Sequence, residues 1–451
     1  MSLKTVLLAA SLTLAACATS DPAQLAYDQH DYARALATWQ AGAAAGDARA
    51  QLGLGLLYAN GQGVAANPAQ AVAWFRKAAE QGNAPAQYYL GRQYFKGEGV
   101  PQSDADALTW YGKAAAQGDA RAESSLGFMY GTGRGTAVDF AQALTWYNRA
   151  AEQGNADAQY NLAVMYQYGE GAGPDLPLAR QWFQRAAEQG GAAAQFNLGL
   201  IYQYGQGVQQ DYDEALSWYT KAAEQGHAGA ENNLGRMYSN GWGVARDYVQ
   251  AAKWQRKAAE QGNAPAQFNL GVLYAKGQGV AQDYKQAFDW QRKAAEQGYA
   301  PAQYSLGLAY AFGDGTTQDY GQAAIWYRRA AEQGYGDACI SLGLASLTGQ
   351  GVPQDYAEAN HWLRQAAEQG DITALGDLGA LYELPAFSGH DLVLAHVFYA
   401  LAAAAGDLKA AEKASRVELK LSPPQLKEAQ ILASAWEVAT PLPTSSHTGS
   451  H

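Results

Sequence analysis

The chain has 451 residues and a formal net charge of −11, with 48% hydrophobic and only 16% charged residues. That acidic balance argues against nucleic acid as a partner and against a surface built to lie on anionic lipid. Its only cysteines, Cys17 and Cys339, are too few for a disulfide framework.

The chain begins MSLKTVLLAASLTLAAC, in which Lys4 supplies a short positive segment and Val6 to Leu14 an apolar run too short to span a bilayer. The run Leu14-Ala15-Ala16-Cys17 resembles a bacterial lipobox. That resemblance implies a lipoprotein signal over 1–16, cleavage before Cys17, and acylation of its thiol. Palmitate is one of the acyl groups expected there, and several chains make a stable anchor. Ala18 follows rather than aspartate, which by likeness to sorting signals points to the outer membrane. The alternative is an ordinary secretory signal cut near Ala16. With Cys17 acylated, Cys339 has no partner. Residues 17–46 read as a tether and an N-terminal capping helix. From Asp21, Ala33, Leu36, Ala37 and Ala41 form a helical stripe with Trp39 offset from it, the pattern of half a unit.

From Gly46 onward one pattern recurs. Gly46, Gly82, Gly118 and so on to Gly406 fall every 36 residues without insertion or deletion, bounding ten units over 47–406. A fixed period of this size signals a repeat array with nearest-neighbour contacts. Each unit carries two helical stripes, such as Ala266, Leu270, Gly271 and Tyr274, then Ala287, Trp290, Ala294 and Ala295. Asn83, Asp119, Asn155, Asn263 and Asp371 suit the N-cap of the first helix, and Pro85, Pro265 and Pro301 its first turn. The boundary glycine serves as the left-handed stop after the second helix. Gly55, Gly91, Gly127 and Gly199 through Gly379, with Ala163 the exception, let the second helix approach closely. Opposite them, Trp74, Trp110, Trp146 and their successors to Trp362 are expected to fill the groove as core. The G-x-G loops, such as Gly97–Gly99, follow helices and recur once per unit, so they read as turns rather than phosphate cradles.

The motif A-x-x-x-L-G-x-x-Y, then G-x-G-V, then D-Y-x-x-A-x-x-W-Y-x-x-A-A-E-Q-G resembles the Sel-1-like repeat (SLR) family, a relative of the tetratricopeptide repeats. It is carried by Ala194, Leu198, Gly199, Tyr202, Gly205, Gly207, Val208, Asp211, Tyr212, Ala215, Trp218, Tyr219 and Ala222 through Gly226. The resemblance covers about 47–406 and implies an all-α, right-handed α-solenoid of helix-turn-helix repeats with helical caps, whose first helices line a concave face. Ser346 replaces the repeat tyrosine, and Pro385 with Phe387 replace both loop glycines of the tenth unit, which marks an atypical end.

Beyond Gly406 two capping helices are predicted within 407–438, the second starting at Ser422, and 439–451 reads as a disordered tail. No G-x-S-x-G, S-x-x-K or H-E-x-x-H occurs, and the histidines share no helical face with a second ligand, so neither catalysis, a cofactor nor a metal is expected. The candidate surface lies on the first helices. One residue before the leucine of the L-G pair stand Tyr89, Ser125, Asn161, Asn197, Asn233, Asn269, Ser305, Ser341 and Asp377. One residue earlier stand Tyr88, Tyr160, Phe196, Phe268 and Tyr304. Two readings stay open. The asparagines donate and accept along a partner's backbone with the rings flanking it, or they bond their own loops and neighbouring repeats. The expectation is a non-enzymatic scaffold of the bacterial envelope, anchored in the outer membrane through Cys17 and facing the periplasm, that binds a protein or peptide. Rival readings are a surface-exposed binder of host protein and a peptidoglycan-related enzyme or activator.

Overall fold

The computed structural model describes residues 21–443, and within them 24 helices and no strand. The leader, Cys17 and residues 444–451 lie outside the described residues. The chain divides into two compact units at Trp218 and Tyr219, inside the helix Tyr212–Glu224. Within each unit, helices adjacent in sequence pack against one another as stacked antiparallel pairs.

The repeat chemistry explains each helix. In the pair Ala264–Lys276 and Tyr284–Glu296, Asn263 Oδ1 accepts from the Ala266 N–H at 2.9 Å and Pro265 sits in the first turn. These groups occupy backbone positions that have no intrahelical partner. Gly277, at φ 64°, closes the helix in the left-handed region. Asp283 then caps the second helix through the Gln286 N–H at 2.9 Å, which gives the aspartate of the D-Y motif its reason. Every boundary glycine from Gly46 to Gly406 has φ between 81° and 108°, the stop its position predicts.

The first-helix glycines do admit a close neighbour, but it is not the tryptophan. A Cβ at Gly91 would meet the Tyr111 ring at 2.8 Å, and one at Gly127 the Tyr147 ring at 2.7 Å. The occupant is the residue after the tryptophan, Phe75, Tyr111, Tyr147, Gln255, Gln291, Tyr327 or Leu363, and in the last unit Tyr399 after Phe398, all buried. The 100° step of a helix rotates its neighbour onto the inner line and leaves the indole at the edge. Trp182, Trp326 and Trp362 are 8–9% exposed and the others half-buried, and most carry a cation three residues on. Lys77 lies 4.1 Å from the Trp74 ring centre, Lys113 3.9 Å from Trp110, and Lys293 4.1 Å from Trp290. The tryptophan ladder is therefore a capped edge of the core, each pair contributing about 0.5–1 kcal/mol.

The N-terminal end departs from expectation, and at the C-terminal end the two expected capping helices form but the tail's first residues differ. The N-terminal half unit is a helix pair, Pro22–Asp28 and Tyr32–Ala44, whose inward line is Ala35, Trp39 and Ala43; Ala33, Ala37 and Ala41 are exposed. Trp39, 3% exposed, sets that register by lying on Gly53, the one ladder position with no side chain. At the other end, helices Leu408–Glu418 and Pro423–Ala435 both pack on Leu392–Ala404, which is buried over most of its surface. Ser422 is the cap of the last helix, donating from its N–H and hydroxyl to Gln425 Oε1. The first residues of the expected disordered tail are instead docked. The Ala439 N–H donates to the Glu368 carbonyl at 2.9 Å, Arg364 Nη2 donates to the Pro443 carbonyl at 2.9 Å, and Leu442 is 2% exposed.

Candidate functional site

The first helices present a stripe made of the ladder residue, the residue three further on and the last residue of the helix, which share one face. In successive repeats this stripe reads Ser125, Phe128 and Thr132, then Asn161, Val164 and Tyr168, then Asn197, Leu200 and Tyr204. Phe128, Tyr168 and Tyr204 are exposed to 41%, 71% and 56%.

The ladder residues behave unequally. Asn197 Nδ2 donates to the Ala193 carbonyl of its own helix at 2.9 Å, and Ser125 Oγ does the same to Arg121 at 2.8 Å. Asn233 is only 7% exposed and accepts from Asn232 Nδ2 at 3.3 Å, while Asn269 Nδ2 donates to Asn232 Oδ1 at 3.1 Å. Asn161 has no hydrogen bond among the described residues and faces a pocket. Burial raises the Asp377 carboxyl above its ordinary range. Asn269 thus bonds a neighbouring repeat, Asn197 and Asn233 bond within their own helices, and Asn161 is left available.

The flanking rings are engaged in packing. Tyr89 stacks on Phe75 at 5.4 Å, Tyr88 meets Tyr111 at 5.8 Å, and Arg121 lies 4.5 Å above Tyr88. Phe268 meets Tyr299 edge-on at 5.7 Å, and Phe196 is half-buried.

A second ladder, absent from the sequence reading, holds successive repeats together. Gln87 donates from Nε2 to the Ala79 carbonyl of the preceding repeat at 3.1 Å and accepts from Gln117 Nε2 at 2.8 Å. Gln159 and Gln189 repeat the arrangement, as do Gln267 with Gln297 and Gln303 with Gln333. The signal was present in the recurring A-Q of the first helix and the E-Q-G of the second, 30 residues apart. Glu123, Glu231, Cys339 and Leu375 replace the first-helix glutamine in four repeats. Burial raises both carboxyls and lifts the Cys339 thiol to about 11.

Three pockets share one register along the first helices. One of about 280 Å³ has Phe95, Tyr111, Ser125, Phe128 and Asn161 among its walls. One of about 180 Å³ is lined by Ala275, Gln291, Ser305 and Leu308, and one of about 470 Å³ by Ala311, Tyr327, Ser341 and Leu344. No group of side chains suited to a metal ion occurs among the described residues, and no described helix is long and apolar enough to cross a membrane.

The Sel1 repeat model matches ten consecutive segments, from 48–83 to 336–371 and then 373–407. Among solved structures, the chain is similar to a protective antigen present in uropathogenic Escherichia coli strains that displays an SLR fold. The identity is 36%, covering 88% of this chain and 93% of that one, with a TM-score of 0.61. It is also similar to a Sel1 repeat protein from Oxalobacter formigenes, at 35% identity over 66% of this chain and 87% of that one, with a TM-score of 0.52. No curated protein matches.

Proposed function

Because the chain belongs to the Sel1 repeat family, whose members generally mediate protein–protein interaction, we propose that it is a non-enzymatic scaffold of the bacterial cell envelope. A partner protein or peptide binds along the first-helix stripe, and acylated Cys17 tethers the chain to the outer membrane, facing the periplasm. The observation that carries the binding face is the run of exposed rings at Phe128, Tyr168 and Tyr204 beside the available amide of Asn161. Apolar surface grouped on one face marks interaction sites, and rigid aromatics are common anchors of protein interfaces. The lipobox-like run ending at Cys17 supports the tether.

A photo-crosslinking residue at Tyr168 in cells tests the face; Asn233, being buried, is a poor position for it. A discrete partner captured from Tyr168 but not from Thr145, an exposed position on a second helix, is the expected result. Equal capture from both, or none, sinks the reading. The uropathogenic E. coli relative is a protective antigen, which favours a second reading in which the chain is exposed on the cell surface. Protease treatment of intact cells separates the two: protection supports the periplasmic scaffold and digestion the surface binder.

A further inference from the structure

The three ladder serines, Ser125, Ser305 and Ser341, each line one of the three pockets in common register. Each pocket has the same construction. Its walls are a residue near the end of one first helix, the second-helix residue that packs toward the first-helix glycine, and the serine with its neighbours on the next first helix. A serine lacks the amide that asparagine projects at this phase, so the recess stays open.

The Ser125 pocket alone joins this recess to aromatic walls and a spare positive charge. Phe95 and Phe128, both in its wall, meet edge-on at 5.9 Å. Arg134 lies 3.9 Å above the Phe95 ring and is held by Asp104 through bonds of 3.0 and 2.7 Å. Arg121 is likewise held by Asp119, at 3.1 and 2.6 Å. Arg92, one turn before Phe95 on the same helix, is half-buried and makes no hydrogen bond or ion pair among the described residues. Leu308, which holds the phase of Arg92 in a sister repeat, lines the Ser341 pocket. The shared register thus puts Arg92 at the rim of the Ser125 pocket, where its charge opposes the rise that burial gives the Tyr88 and Tyr111 hydroxyls. Both neighbouring arginines have a carboxylate; Arg92 has none.

A recess of about 280 Å³ falls just under the ~300–1,000 Å³ typical of small-molecule sites, and suits a single side chain. A guanidinium beside it suits a carboxylate, which it can bind through two parallel bonds. We propose that the Ser125 pocket is the anchor of an acidic linear segment of the partner protein, one large apolar side chain entering the recess against Phe95 and Phe128 while a neighbouring carboxylate meets Arg92. This rests on the first-helix binding face and names the chemistry that face selects.

Two substitutions test it with little risk to the fold, because sister repeats carry the new residues at the same phase. Ser125→Asn reproduces Asn161 and Asn197, and Arg92→Leu reproduces Leu56, Leu200 and Leu308. The probe is a random dodecapeptide display library selected on the full chain, with affinities of enriched peptides read by fluorescence anisotropy. Enriched peptides should carry a large apolar residue with Asp or Glu within two positions. Each substitution should weaken them about tenfold or more, the loss expected of one charge-assisted bond or one blocked pocket. In Arg92→Leu, changing the peptide's acid to its amide should no longer matter. Selection that returns no peptide, or peptides without an acid, overturns the proposal. So do peptides that bind and ignore both substitutions, an outcome that leaves the binding face standing. A failed crosslink from Tyr168 removes that face independently of the library.

Discussion

At neutral pH, Glu123 and Glu231 place buried carboxylates where the sister repeats hold an amide that both donates and accepts. Gln153 and Gln261 still donate to them, at 2.6 and 2.7 Å, but an ionised carboxylate has nothing to give the carbonyl eight residues earlier. Desolvation outweighs the attraction of Arg149 at Glu123 and of Lys257 at Glu231, so both folded-state pKa values lie above the unfolded one. A raised pKa means this contribution is fully present below the unfolded value, about 4.3, and is lost as pH rises through the folded value. Glu123→Gln and Glu231→Gln should each stabilise the chain by about 1 kcal/mol at pH 7, through the donor they restore. The gain should vanish below about pH 4. Urea unfolding at a series of pH values checks both the gain and its disappearance; an equal gain at all pH values would refute the cause. The glutamine ladder itself was visible in the sequence as a period. What hid it is that a buried glutamine and a surface glutamine look alike until the carbonyl it serves is known.

At the scale of the element, the glycines divide into two kinds that the sequence does not separate. Gly262, at φ 89°, has nothing within 4 Å of where a Cβ would stand. Gly279, at φ 72°, presses on the first turn of the preceding repeat's second helix, and a Cβ there would land on the Tyr248 carbonyl. Gly262→Ala should therefore cost only the left-handed conformation, about 1–2 kcal/mol. Gly279→Ala must also push two repeats apart, and should cost at least about 1–3 kcal/mol more. Equal urea midpoints for the two variants would count against this role for the second loop glycine. Helix positions, caps and turns were legible because each unit states them again in phase. The facing of the tryptophan was not, since the 3.6-residue pattern places Trp110 and Tyr111 near the same stripe and only the packed pair shows which one meets Gly91. The ladder of Asn161, Asn197, Asn233 and Asn269 was equally plain as a pattern, yet its period serves packing and binding alike. Burial and the bond from Asn232 distinguish Asn233 from Asn161.

Over the whole chain, a repeat array has no long-range core, so a perturbation should be felt by its neighbours and fade beyond them. The C-terminal segment gives a direct test. Residues 439–443 run back to the helix Tyr356–Glu368. There Leu442 is buried, its N–H donates to Glu368 Oε1 at 3.0 Å, and Arg364 donates to the Pro443 carbonyl. This contact joins residues more than 70 positions apart, whereas the other hydrogen bonds among the described residues join each helix mainly to the next, so it clasps the C-terminal end of the stack. Ending the chain at Val438 removes one buried leucine, worth about 1.5–3 kcal/mol, and leaves the Arg364 guanidinium only its bond to the Tyr382 hydroxyl. Hydrogen exchange should then quicken in Tyr356–Glu368 and in the helices packed on it, Gly336–Thr348 and Ile372–Glu383. Protection in Ala84–Lys96 and Ala120–Thr132 should be unchanged, because local opening draws only on nearby contacts. A uniform rise along the chain would mean that the repeats unfold as one cooperative body. No change at Tyr356–Glu368 would mean that the clasp contributes nothing to holding that end closed.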